Sequence, residues 1–263
     1  MHSILQEIYE NTKAAVERRK IEKPLNRLKD EISGIAPLRD FYAAVSRKDR
    51  VNVIAEIKKA SPSAGAIRGE IDPGDCAAGY AEAGAAAISV LTEEKYFHGD
   101  LSFLLRARQK APVPLLRKDF IFDPYQVHES LAAGADAILL IAAMVEKDRL
   151  KGLVELAFEL GLDCLLEVHD EDDLVKALAT PARIIGVNTR DLNDFSVKLE
   201  TAEMLLPKIP DGKTVVIESG IKGPEDVRRF TRLGVRSFLV GETLMRSADV
   251  RATLRGLKEA VNG

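Results

Sequence analysis

Near its start the chain carries the run Val53-Ile54-Ala55-Glu56-Ile57-Lys58-Lys59-Ala60-Ser61-Pro62-Ser63, in which an apolar stretch ends in an acid, an amine and a turn. In an extended strand successive side chains alternate between faces, so Glu56 and Lys58 project the same way, with Ile54 behind them. Two opposite charges pointing inward cost desolvation energy unless they are paired or used. Other apolar runs end in the same manner. One stops at Lys118, one carries Glu167, one ends in Asn188 with Arg190 just beyond, and one ends in Glu218-Ser219. Three carboxylates and two ammonium groups gathered at one place can do proton chemistry. A lysine in a closed site serves as general acid, and a glutamate of raised pKa shuttles a proton. A structural ion-pair network is the plainer reading of the same residues. A second constellation is suited to an anion. Glu218-Ser219-Gly220-Ile221-Lys222-Gly223 and Val240-Gly241-Glu242-Thr243-Leu244-Met245 are glycine-containing turns that run toward helices. Ser61, Ser219, Gly220, Gly241 and Glu242 are therefore candidates to offer hydrogen-bond donors to a phosphate. Phe97 and Phe120 each follow an apolar run and can form an apolar wall for a flat ring.

These residues need elements to hold them. From Val51 onward short apolar runs alternate with helical stretches. The runs are Val51 to Lys58, Ala86 to Leu91, Val113 to Lys118, Ala135 to Ile141, Cys164 to Val168, Arg183 to Asn188, Thr214 to Glu218 and Ser237 to Val240. Gly84, Gly134, Gly161 and Gly234 each stand between the end of a helical pattern and the next run, where glycine supplies the left-handed helix C-cap. Eight strand-helix units in about 210 residues match a (β/α)8 TIM barrel, whose active site lies at the C-terminal ends of the strands and whose last two loops recurrently bind phosphate. A doubly wound sheet is the alternative. It would place a glycine fingerprint after the first strand, where this chain has Lys59-Ala60-Ser61-Pro62-Ser63. Residues 1–50 show only helical periodicity, in Ile4, Leu5, Ile8 and Tyr9, in a second helix opened by Pro24, and in a third over Leu38 to Val45. They form a helical N-terminal extension expected to pack on the barrel at its mouth, and residues 51–263 form the barrel, the whole being one structural domain.

Composition narrows the partners. The chain has 263 residues, is 46% hydrophobic and 30% charged, and has a net charge of -3, so it lacks the basic excess of a nucleic-acid binder. No stretch approaches the roughly 20 apolar residues of a membrane span. The acid at Glu7 does not suit a signal peptide. Cys76 and Cys164 are far apart, and free thiols fit a reducing, cytoplasmic location. No His, Asp or Glu spacing makes a metal set, so no metal is expected. His2 and His128 fall in helical stretches and are expected at the surface. His98 and His169 flank strand ends without a further role. Asp170 to Asp173 opens a helix, where acid favours the dipole and needs no catalytic task.

Read together, the strand ends resemble those of the indole-3-glycerol phosphate synthase family, a (β/α)8 barrel with a helical N-terminal extension. The matching stretches are Ile54 to Ser63, Ser89-Val90-Leu91-Thr92-Glu93 with Tyr96-Phe97, Leu115 to Ile121, Leu166-Glu167-Val168-His169, Ile185 to Leu192, Val216 to Ile221 and Leu239 to Met245. They run in family order over essentially the whole chain. Thr189 stands where the family often has Asn, and Thr243 where Ser is common. The resemblance implies ring closure of 1-(2-carboxyphenylamino)-1-deoxyribulose 5-phosphate, with loss of CO2 and water, to indole-3-glycerol phosphate. This is a step of tryptophan biosynthesis that needs no cofactor. It also implies roles. Lys118 would be the general acid for ring closure and Glu167 the acid/base for dehydration. Lys58 would bind the carboxylate and can also deliver a proton. Glu56 and Glu218 would hold the lysines and substrate hydroxyls, and Asn188 and Arg190 would orient substrate. The partners expected are the small sugar-phosphate/anthranilate substrate and no nucleic acid or membrane, in a monomer or weak homo-oligomer. Two other functions remain open on the residues alone. One is a Schiff-base aldolase using Lys58 or Lys118. The other is a phosphate-ligand binder, against which three inward carboxylates argue, since they would repel an anion.

Overall fold

In a computed structural model the chain is described over residues 4–62, 65–67, 69, 71–191 and 195–260; His2, Ser63 and Leu192 lie outside these. Eight parallel strands close into a barrel: β1 Asn52–Ile57, β2 Ala87–Leu91, β3 Leu115–Lys118, β4 Ala137–Ile141, β5 Asp163–Val168, β6 Ile184–Asn188, β7 Thr214–Glu218 and β8 Ser237–Val240. Each pairs with its sequence neighbours, and β1 pairs with β8 to complete the ring. The strands differ from the apolar runs by at most two residues at their starts. Lys58 falls just past the end of β1, and Ala60–Ser61 pairs with Gly65–Ala66 in a small antiparallel hairpin that the sequence presented only as a turn.

Both faces of the sheet are buried, as helix-covered parallel strands require. Val53, Ala55 and Ile57 of β1 face outward into the layer shared with the helices, whereas Ile54 joins the interior with Ala87, Leu116, Leu139, Leu165, Ile184, Val216 and Leu239. Alternation therefore carries Glu56 inward one step above Ile54. Gly84, Gly134, Gly161 and Gly234 have φ between 80° and 90°, the left-handed conformation that turns each helix end toward the next strand.

The N-terminal helices take three different positions. Helix α1 (Ile4–Glu22) brings Ile4, Leu5 and Ile8 over the mouth. There Tyr96 donates to Glu7 at 2.6 Å and Asn11 donates to Tyr96 at 2.9 Å. Helix α2 (Leu25–Ile32) lies beside α4 (Pro124–Ala132) on the outer wall. Helix α3 (Phe41–Val45) closes the opposite end. Its partners are the strand starts: the Tyr42 N–H donates to Asp163 at 2.8 Å, and Asn52 donates to the Val45 carbonyl at 3.2 Å. Phe41 and Val45 plug the barrel floor and are fully buried. His128 is not a surface residue: α4 buries it against the extension, and burial first, then Lys29, lowers its pKa.

Candidate active site

A cavity of about 380 Å³ opens at the C-terminal ends of the strands, and every residue singled out from the sequence for chemistry or binding lines it. Its floor is charged. Lys58 Nζ lies 2.6 Å from Glu56 Oε1, and Lys118 Nζ lies 3.1 Å from Glu167 Oε2 and 3.2 Å from Glu218 Oε2. All three carboxylates are buried. Burial by itself would pull Lys118 down, but Glu167, Glu218 and Glu56 outweigh it and hold the ammonium well above the ordinary lysine range. Lys118 is thus protonated and fixed between two acids. An amine so held is a poor nucleophile, which disfavours a Schiff base.

The two acids that share Lys118 differ. Burial pushes both upward, yet for Glu167 the Lys118 charge, His169 and the Asn188 amide reverse the effect and keep the carboxylate ionised. Glu218 lacks this second set of partners. Its Oε1 is buried with no hydrogen-bond partner and leans over Gly186. Burial first, and Glu167 second, push its pKa up to about 8 despite Lys118. Two glycines make room for this layer. A Cβ on Gly186 would fall 2.1 Å from Glu218 Oε1, and one on Gly241 would fall 2.2 Å from Glu56 Oε1. Gly241, noticed in the sequence as an anion-site glycine, therefore also admits the Glu56 carboxylate.

The aromatic wall forms as expected, with the Phe97 and Phe120 rings 6.0 Å apart and inclined at 40°. Each ring is held by a buried acid. Glu93 accepts the backbone N–H groups of Lys95, Tyr96 and Phe97 at 2.7–3.0 Å. Asp119 accepts the Phe120 N–H at 2.8 Å while Arg117 pairs with it at 2.9 Å. Ile4, Leu5, Ile8, Leu139 and Ile141 complete the apolar side.

At the other side of the mouth Ser219 and Gly220 have φ of 66° and 76°. Two successive left-handed residues cost about 1–2 kcal/mol at the non-glycine position. Thr189 braces the turn, its Oγ1 lying 3.2 Å from both the Glu218 and Ser219 carbonyl oxygens. Thr243 Oγ1 donates to the Ile221 carbonyl at 2.6 Å and so ties the last two loops together. Thr189 and Thr243 are thus loop braces. The Glu242 carboxylate pairs with Arg246 at 3.0 Å, which leaves its backbone N–H as the part suited to an anion. Arg190 is held by its N–H to Asn188 Oδ1 at 3.0 Å and by its guanidinium to the Phe195 carbonyl at 3.0 Å. Lys222 and Arg246 also line this end and were not singled out from the sequence. Lys222 stands between Gly220 and Gly223, and Arg246 caps the short helix Glu242–Met245 that follows Gly241, so a basic residue close to the noticed glycines was the available signal.

His169 likewise has more partners than its position suggested: Nε2 lies 3.2 Å from Glu167 and Nδ1 lies 3.4 Å from Asp173. Among the described residues no three His, Cys, Asp or Glu side chains gather into a metal-ligand set, and no helix is long and apolar enough to cross a membrane.

A family model described as indole-3-glycerol phosphate synthase matches residues 5–257. A curated protein of that name from Dehalococcoides mccartyi is 48% identical over 257 residues, covering 97% of this chain and 99% of the relative. One from Campylobacter jejuni subsp. doylei is 45% identical over 257 residues with the same coverage. Among solved structures, KGPDC from Streptococcus mutans superposes with a TM-score of 0.63 at 12% identity, covering 81% of this chain and 98% of the other. The 3-hexulose-6-phosphate synthase from Salmonella typhimurium gives 0.63 at 13% identity, covering 80% and 98%. At such identities these two likenesses speak to the barrel alone.

Proposed function

The chain belongs to the indole-3-glycerol phosphate synthase family, and we propose that its charged barrel mouth divides the work of that reaction among Lys118, Glu167 and Lys58. The enzyme is a carboxy-lyase of tryptophan biosynthesis. It closes the ring of 1-(2-carboxyphenylamino)-1-deoxyribulose 5-phosphate, releasing CO2 and water, to give indole-3-glycerol phosphate. In ring closure the aromatic carbon that bears the carboxylate bonds to the ketone carbon. The carbonyl oxygen takes a proton from Lys118. The bond to the carboxylate then breaks, its electron pair returns to the ring, and CO2 leaves. The sequence consumes one proton overall, which Lys118 supplies and regains from solvent between turnovers.

Loss of water requires a proton to leave carbon and another to reach the departing hydroxyl. Glu167 begins ionised, so it takes the carbon proton as the C–O bond breaks and the C=C forms, passes that proton to the departing hydroxyl and ends as it began. Lys58, paired with Glu56, faces the substrate carboxylate. The flat ring lies against Phe97 and Phe120. Ser61 and Arg190 contact the substrate chain, and the phosphate takes the backbone N–H groups at Ser219, Gly220, Gly241 and Glu242. Residues 1–50 contribute to this site as part of one domain with residues 51–263, since Ile4, Leu5 and Ile8 line the cavity. The protein works in the cytoplasm as a monomer or weak homo-oligomer and engages no nucleic acid. Cys164 is a buried free thiol, in keeping with a reducing compartment.

The observation that carries the assignment of roles is Lys118 held between Glu167 and Glu218 on the cavity floor, 3.1 and 3.2 Å away. The test is turnover of the substrate followed by indole absorbance, with rapid-quench analysis of Glu167→Gln. That variant keeps shape and hydrogen bonding but cannot exchange a proton. It should accumulate the cyclised, decarboxylated hydroxy-indoline. Normal indole production by Glu167→Gln would remove Glu167 from the mechanism.

A further inference from the structure

Glu167 and His169 are two residues apart at the end of β5, so alternation places them on the same side of the sheet. His169 Nε2 stands 3.2 Å from Glu167 Oε1, the oxygen that Lys118 does not touch. The ring N–H is not aimed along that line, so the contact is an ion pair more than a directed hydrogen bond. On its other side Asp173 Oδ2 receives the His169 backbone N–H at 3.2 Å and lies 3.4 Å from Nδ1. Asp173 is itself fixed. Its N–H is capped by Asp170 at 2.9 Å, and it belongs to the first turn of α5 (Glu171–Leu178), so that helix sets its position. The imidazole is wedged between two buried carboxylates, each of which favours the imidazolium.

We propose that His169, held as a cation by Asp173, is the positioning residue of Glu167: it pins Oε1, turns Oε2 toward Lys118 and substrate, and keeps the carboxylate ionised so that it can begin the dehydration as a base. The inference rests on the role of Glu167 given above. The charged groups set against His169 are Glu167 from β5, with Lys118 of β3 beyond it, and Asp173 and Asp170 from α5 and its cap. Lys176 lies 4.0 Å from the far oxygen of Asp173. The two carboxylates touch the ring directly, whereas the two lysines stand behind them, each paired to one of these acids. Burial lowers the ring, but Asp173 and Glu167 outweigh it and raise its pKa to about 10. His169 is thus charged throughout the working range. The sequence hid this because Asp170 to Asp173 is accounted for by the helix dipole and His169 by a strand end; only the fold of the strand onto α5 brings them together.

The sign follows from linkage. Removing a cation beside a carboxylate raises that carboxylate's pKa, so the acid limb of the kcat–pH profile should move to higher pH, by about 1 unit or more. The experiment measures kcat and KM against pH for wild type and for His169→Ala, His169→Gln, Asp173→Asn and Glu167→Gln, with thermal unfolding of each. His169→Ala should lose roughly 10- to 100-fold in kcat through misplacement of Glu167, with little change in KM. His169→Gln restores a neutral donor near Nε2. It should recover part of kcat while the limb stays displaced. Asp173→Asn removes an anion and leaves the imidazolium beside Glu167, so it should lower kcat by less than His169→Ala without raising the limb, and these two variants carry the test if His169→Ala fails to fold. A merely structural histidine would change stability and leave the limb alone. If the limb does not move in the folded His169 variants while Glu167→Gln is inactive, the positioning role of His169 is wrong. If Glu167→Gln itself turns over normally, the reading beneath it falls instead.

Discussion

Replacing Gly186 with alanine should disable the enzyme through a residue on the neighbouring strand. Gly186 lies in β6 opposite Glu167 on β5, and the Glu218 carboxylate leans over it from β7. An alanine Cβ would fall 2.1 Å from Glu218 Oε1 and 3.2 Å from Glu218 Cδ and Leu165 Cδ1, where real Cβ contacts stay beyond 3.0 Å. Going from 2.1 to 3.0 Å requires a retreat of about 0.9 Å. The backbone of β6 is paired on both sides and cannot give that much, so Glu218 must move. Its Oε2 is then drawn from the 3.2 Å contact that centres Lys118 between two acids. A misplacement near 1 Å can cost about 100-fold in rate, and overpacking of this kind costs about 1–3 kcal/mol of stability. Steady-state kinetics at a temperature well below the melting transition separates the two effects. The specific claim is that the loss runs through Glu218. In a Glu218→Ala background the added methyl has its space, so Gly186→Ala should then cost little further activity. Equal losses in both backgrounds would refute this reasoning and place the damage in the strand itself.

Lys118→Ala should lose a general-acid contribution of about 100- to 10,000-fold in kcat with KM comparatively unchanged, whereas Lys58→Ala should raise KM as well as lower kcat; identical kinetic patterns for the two would undo the division of roles. Removing residues 1–22 takes Ile4, Leu5 and Ile8 from the cavity but leaves the α3 plug in place, so KM should rise more than melting temperature falls, and unchanged kinetics would leave the extension without a part in binding. At the proposed phosphate end neither glycine makes a clean probe, because a Cβ on Gly220 would meet Leu199 and Val197 at 2.7 Å and one on Gly241 would meet Glu56. Arg246→Ala is the better variant: it strips a cation from the mouth and leaves Glu242 uncompensated, so affinity for the substrate should fall while affinity for an analogue lacking the phosphate should not. Equal losses for both ligands would mean that Arg246 serves the loop and not the anion.

The sequence by itself determined the barrel and the chemical inventory of its mouth. Strand period and left-handed caps at Gly84, Gly134, Gly161 and Gly234 are local properties, written within a few residues and insensitive to what packs on them. Once parallel strands are counted, alternation alone sends Glu56 inward above Ile54 and fixes which strand ends meet. Thus Lys58, Lys118, Glu167, Asn188 and Glu218 were legible as one rim before any contact was seen. The contacts that give those residues unequal properties were not legible, because they depend on distances between segments far apart in the chain. Glu167 and Glu218 look alike in sequence and both touch Lys118. Only the tertiary structure adds His169 and Asn188 to one and leaves the other against Gly186 with an unpartnered oxygen. The extension shows the same limit. Its helices follow from periodicity, but whether each lies over the mouth, on the wall or beneath the barrel is set by partners such as Asp163 and Asn52 at the strand starts. His128 was misplaced for that reason too: a helix pattern says which residues share a face, and the surface that covers that face is supplied by another part of the chain.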